Sequence, residues 1–232
     1  MFAFVGVILY LTLFSNTCAK MMGEETYPID GDPSQFDPLA AIPDIEKRVG
    51  AGAVLVDLDI TSVRPDGSID LKAPYKPAPS ARYEFQRKLD KAPDGKVAPP
   101  IGAGRGPDDV WVETVTVQVY DPGLRRQVTR ISGGSRSSYS YTNEGMDFDR
   151  SEPRMMHPDE RALTKIKPAE MWEIAQKIGA PLNAVAGVSY DADGAQFRIS
   201  GTKYDLRWDK SGNLEVRLLD EESRDKLGLS GS

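Results

Sequence analysis

The stretch from Val110 to Tyr120 sets Val110, Val112, Val115, Val117 and Val119 among Thr114, Thr116 and Gln118, with Trp111 near its start. A period of two, with valine on one side and hydroxyl or amide side chains on the other, marks a strand buried on one face. Asp121-Pro122-Gly123 follows and predicts a turn into Arg126–Ile131, so that the two runs form a β-hairpin. After Gly/Ser-rich 132–138, Tyr139 and Tyr141 predict one more short strand.

The same period recurs upstream. Val54, Val56, Leu58 and Ile60 alternate with Leu55, Asp57, Asp59 and Thr61. Pro65-Asp66-Gly67 predicts a turn into a short strand, Ser68–Lys72, and Tyr83 and Phe85 flank Glu84 in the next. Pro74, Pro77 and Pro79 mark an extended edge segment, and 91–109, rich in Pro, Gly and Ala, reads as a loop.

Two helices stand out. Asp37 before Pro38 is a good N-cap, and Leu39, Ile42, Ile45 and Val49 share one face, with Pro43 confining the regular part to its C-terminal side and Gly50 stopping it. Pro168 opens a second helix to Ile178, with Met171, Ile174, Ala175 and Ile178 inward and Gly179 as the stop. Strands are expected at Ala184–Tyr190, Ala195–Ser200, Tyr204–Trp208 and Leu214–Leu218, with turns at 191–194 and 209–213.

Helix, Gly, strand, Asp-Gly turn and strand thus occur twice, with seventeen residues from Gly50 to Gly67 and fifteen from Gly179 to Gly194. The expected fold class is α+β: two similar units, each a helix packed on a small antiparallel sheet. The boundaries follow from composition. They are a signal peptide or membrane anchor at 1–19, a tether at 20–36, a first unit at 37–142, a linker at 143–166, a second unit at 167–219 and a charged tail at 220–232.

Residues 1–19 carry no charge and are mostly apolar, which predicts export across a membrane. Thr17 and Ala19 suit a cut after Ala19. An uncut anchor and lipid attachment at Cys18, the only cysteine, are the other two readings. Cleavage would leave about 210 residues without a thiol, excluding disulfides, thiolate nucleophiles and cysteine-based zinc.

Acidic residues outnumber basic ones by 35 to 29, which argues against nucleic acid and against membrane contact beyond residues 1–19. The basic groups Arg125, Arg126 and Arg130, and Arg82 with Arg87 and Lys88, read as solvated strand or turn faces. The lone histidine, His157, falls in the linker, poorly placed for a triad or for zinc. Asp30 and Asp32 have the spacing of a calcium loop without the rest of one. Asp57 and Asp59 lie on one strand face, and are an ordinary wet-face pair unless a cleft surrounds them. Gly102-Ala103-Gly104-Arg105-Gly106 lacks the Lys-Ser/Thr ending of a phosphate loop. Trp111, Tyr139, Tyr141, Trp172 and Trp208 are interface anchors if exposed; Trp172 and Trp208 read as core, and Tyr139 and Tyr141, near Arg136, as the best binding edge. No catalytic residue, metal or cofactor is expected.

The order of elements over 37–218 resembles the tandem helix-plus-sheet architecture of the secreted β-lactamase-inhibitor-like proteins. Through Phe36-Asp37-Pro38-Leu39, Ser140-Tyr141-Thr142-Asn143-Glu144-Gly145-Met146 and Gly179-Ala180-Pro181, the chain is also similar to an uncharacterised family of bacterial exported proteins. That likeness implies export and no assigned activity. The functional expectation is an exported, non-catalytic binding or structural envelope protein whose partner is an envelope or extracellular protein. Two alternatives stand beside it: an inhibitor-like module that uses the 91–109 loop, and an enzyme with a carboxylate site.

Overall fold

The computed structural model describes residues 25–102, 105–132, 135–159 and 163–229, and of 125–141 the backbone alone. The expectations for residues 1–19, including Cys18, lie outside the described residues. The strands, in chain order, are β1 (Glu25–Pro28), β2 (Ala53–Val63), β3 (Ser80–Lys88), β4 (Val110–Val119), β5 (Arg125–Ser132) and β6 (Ser135–Thr142). They continue with β7 (Gly145–Arg150), β8 (Arg154–Met156), β9 (Ala186–Asp191), β10 (Gly194–Arg198) and β11 (Asp205–Asp209). The helices are α1 (Ile42–Val49), α2 (Pro168–Lys177) and α3 (Glu221–Lys226).

Nine strands form one antiparallel sheet in the order β1-β7-β4-β3-β2-β9-β10-β11, with β8 beside the start of β4. β5 and β6 pair with each other as a separate ribbon. The α+β expectation of two helix-plus-sheet units is corrected. β2 pairs directly with β9, Leu58 opposite Tyr190 and Ile60 opposite Val188, so strands from both supposed units lie in one sheet of a β-rich fold. The hairpin expected between 110–120 and 126–131 is corrected too. β4 pairs with β3, β7 and β8, and β5 turns away to meet β6.

The residues between 143 and 166 are not a plain linker. Met146 and Phe148 are buried on β7, which lies between β1 and β4. Nor is 20–36 only a tether: Tyr27 of β1 meets Phe148 edge-on at 5.1 Å, and Phe36 is buried. The region after 220 forms α3, capped by the Asp220 carboxylate accepting from the Ser223 N–H at 2.7 Å. Leu214–Leu218 gives a 3₁₀ turn and one bridge to Trp208 in place of a strand, and Ser68–Lys72 gives bridges through Ile69.

Burial explains the layering. Leu58, Ile60, Tyr83, Phe85, Val115, Val117, Val188, Phe197 and Leu206 all join one core cluster, at alternate positions along their strands. Ile45 and Val49 of α1, and Met171, Trp172 and Ala175 of α2, close the same cluster from above. Helix α1 begins at Ile42 because Pro43 fits only a first turn, while Asp37 caps the preceding turn through the Leu39 and Ala40 N–H groups. Its C-terminal carbonyls at Arg48 and Val49 accept from Arg150 of β7, which fastens the helix to the sheet.

Strand β2 departs from simple alternation at both ends. Its register against β3 slips between Leu55 and Asp57, so Val56 is an extra residue. Val54 therefore pairs with Gln86 and is exposed, against the inward side expected for it. Near the other end Ser62 takes φ 63°, and Val63 is fully buried.

The joint between helix and sheet is Trp172. Its indole N–H donates to the Val63 carbonyl at 3.2 Å, and its ring meets Phe197 edge-on at 5.1 Å. Replacing it, Trp172→Phe, keeps an aromatic ring but removes the indole donor to the Val63 carbonyl and leaves part of the volume empty. The expected cost is about 2–3 kcal/mol in urea unfolding. A variant as stable as the wild type would show that this joint is not needed.

Candidate functional site

The opposite face of the sheet carries polar side chains in cross-strand rows. One row runs Gln118, Arg82, Asp59, Ser189, Gln196 and Arg207 across β4, β3, β2, β9, β10 and β11. A second joins Thr116, Glu84 and Asp57. Helices α1 and α2 lie on the core side, where Ile45, Val49, Met171, Trp172 and Ala175 join the cluster.

Arg82 is the hub. Its guanidinium lies 2.7 Å from Glu84 Oε2, 3.5 Å from Asp57 Oδ1 and 3.8 Å from Asp59 Oδ2. Partial burial first, and then the Asp59 charge, pushes the Asp57 carboxyl up to about 6, against the pull of Arg82 and with further push from Glu84 and Asp191. Next to this network is a shallow groove of about 400 Å³ whose lining includes Asp59, Thr61, Gly187, Ser189, Gln196 and Arg198. Gly187 leaves it open: the nearest heavy atoms to an added Cβ would be backbone oxygens 3.9 Å away. At its far side Asp205 accepts from Arg198 at 2.8 Å and from Gln196 at 2.7 Å, which holds both side chains in place and keeps the Asp205 carboxyl below its usual range.

Asp57 and Asp59 share this face, as their spacing predicts. Glu84 and Arg82 come to them only through the β2–β3 register. The supposed basic group is split: Arg82 faces the open side, whereas Arg87 pairs with Glu113 at 2.8 Å beside Arg150. Trp172 and Trp208 are core, and Trp111 is half-buried with Lys96 over its ring. Tyr139 and Tyr141 fall on β6, and their side chains, with those of Arg125, Arg126, Arg130 and Arg136, lie outside the described residues. His157 is exposed after β8. Arg105 of the Gly-rich segment donates to the Pro99 carbonyl of its own loop at 3.2 Å, while residues 103–104 lie outside the described residues.

A second cavity, about 230 Å³, includes Asp30, Asp32, Asp37 and Asp44 with Ile45 and Met146 in its lining. Asp32 and Asp37 are already engaged by the backbone N–H groups of Ser34, Leu39 and Ala40. Among the described residues, no group of three or more His, Cys, Asp or Glu side chains could hold a metal ion. No helix among them is long and apolar enough to cross a membrane. The buried phenols of Tyr83 and Tyr190 donate to the carbonyls of Pro38 and Ile166 at 2.9 Å, and burial raises both above the usual phenol range.

Comparison with protein-family models, with curated proteins and with solved structures finds no match to this chain.

The Asp57 shift has a stability sign. A carboxyl raised on folding favours the fold when protonated, so its contribution is full below its unfolded value of 3.8 and lost as pH rises through about 6. Asp57→Asn is expected to raise stability at pH 7 by about 1 kcal/mol, a figure reduced for solvent screening of a side chain that is 33 % exposed. It should also flatten the decline in melting temperature between pH 4 and 6. Melting curves of the two proteins across that range check it, and an unchanged slope in the variant places the effect in another group.

Proposed function

We propose that this is an exported, non-catalytic binding protein that engages a partner protein through the polar face of its sheet. The observation that carries this reading is the one-sided core. The sheet buries one face under α1 and α2 and presents the other as ordered rows of charged and polar side chains. Cross-strand hydrogen bonds fix the spacing of those rows, so a partner meets Arg82, Asp59, Ser189, Gln196 and Arg198 in set positions. Arg82 and Arg198 supply forked donors, and the carboxylates around them supply acceptors, the complement of a polar protein surface. The uncharged apolar start of the chain supports export. Around Arg82 the carboxylates form an ion-pair network on an open surface, which supports binding over acid–base chemistry.

The test is capture from an envelope extract with the tagged full chain, wild type beside Gly187→Trp. Residue 187 is exposed with space around it, so the indole fills the groove without straining the backbone. The expected result is one protein recovered in about equal amount with wild type and lost with Gly187→Trp. The variant's melting temperature should stay within about 2 °C. Retention of the same protein by the variant, or recovery of none by the wild type, would overturn the reading.

A further inference from the structure

The loop between β3 and β4 displays two large apolar side chains in water. Val97 is 89 % exposed and Ile101 is 66 % exposed, four residues apart. Between them lie Ala98, Pro99 and Pro100. The pyrrolidine ring drives the residue before it into the β/polyproline region and locks its own φ near about −65°. Ala98 and Pro99 each precede a proline, so local sterics favour an extended backbone here. The structure assigns neither helix nor strand to residues 96–100.

Both flanks are pinned. Lys96 Nζ lies 2.5 Å from Glu152 Oε1, donates to the Pro153 carbonyl at 3.2 Å and stands over the Trp111 ring at 5.9 Å. From the other side Arg105 Nη1 donates to the Pro99 carbonyl at 3.2 Å, and the Gly102 N–H donates to the Arg105 carbonyl at 3.0 Å. Large apolar side chains in water, on a segment that proline sterics bias to the extended region and that is bonded at both flanks, lose less freedom on docking than they would on an unbiased loop. The chemistry that matches them is a groove walled by aromatic rings, which stack on prolines and leave pockets for flanking aliphatic side chains.

We propose that residues 96–101 are a polyproline-type ligand that docks in an aromatic-lined groove of a partner protein. Pro99-Pro100 lies across the rings, and Val97 and Ile101 fill the pockets on either side. This surface shares no residue with the lining of the sheet-face groove, so either proposal can fail without the other.

The test titrates the full chain into a panel of purified SH3 and WW domains, read by the fluorescence of their groove tryptophans, with a free proline-rich peptide as competitor. At least one domain is expected to saturate in the micromolar range and to release the protein to the peptide. The double variant Val97→Asp with Ile101→Asp should bind about tenfold more weakly or worse. Arg105→Gln, which removes a pin without touching the docked side chains, should bind about threefold more weakly. All of these variants should melt like wild type, since the aspartate sites are exposed and the Arg105–Pro99 bond lies within one loop. Failure of every domain to saturate would overturn the proposal, as would unchanged binding by the double aspartate variant.

Discussion

Pairing of β2 with β9 puts Leu58 beside Tyr190 and Ile60 beside Val188, so strands far apart in the chain present their apolar side chains to the same side. Everything on that side follows from this register. Helix α2, which precedes β9, reaches across the seam and places the Trp172 indole against the Val63 carbonyl at the end of β2. Helix α1, which precedes β2, is tied at its C-terminus by Arg150 from β7. Each of these helices is thus tied to a strand besides the one that follows it, while α1 also packs on β2 itself. A slip of one residue between β2 and β9 would turn every inward side chain of one half outward.

The same constraint makes the opposite face. A strand with one face committed to the core must show its alternate residues to water. The side chains of Asp57, Asp59, Arg82, Glu84, Ser189 and Arg198 are spaced by the backbone ladder rather than by bonds of their own. Ion pairs at such exposure contribute little to stability. What the network around Arg82 provides is position, and partial burial together with the nearby Asp59 charge raises the Asp57 carboxyl.

Much of the local structure was legible because it rests on short-range rules. The period of two located β2, β4, β9, β10 and β11, and Pro168 with Gly179 bounded α2 within a residue or two. Long-range pairing was not legible. Met146 and Phe148 alternate with Asp147 and Asp149, so β7 read as a charged linker until its place between β1 and β4 explained the pattern. Val54 was misplaced because a bulge at Val56 resets the alternation, and a bulge leaves no clear mark in composition. The turn at Asp121-Pro122-Gly123 signalled a reversal but could not say that β4 would pair with β3 and β7 while β5 left the sheet. At the candidate site the Asp57–Asp59 spacing was visible along one strand. Arg82 and Glu84 were hidden because their partners depend on a cross-strand register.

The sheet face and the 96–101 loop reach the same condition by different means. On the face, ladder hydrogen bonds fix the backbone and Asp205 steadies Arg198 and Gln196. On the loop there is no ladder, and its conformation comes from proline rings together with the Lys96 and Arg105 pins. Recognition by a restrained surface costs less ordering than recognition by a mobile one, and that saving appears directly as affinity. The loop joining β3 to β4 is where the exposed apolar side chains and the restraints on their backbone coincide.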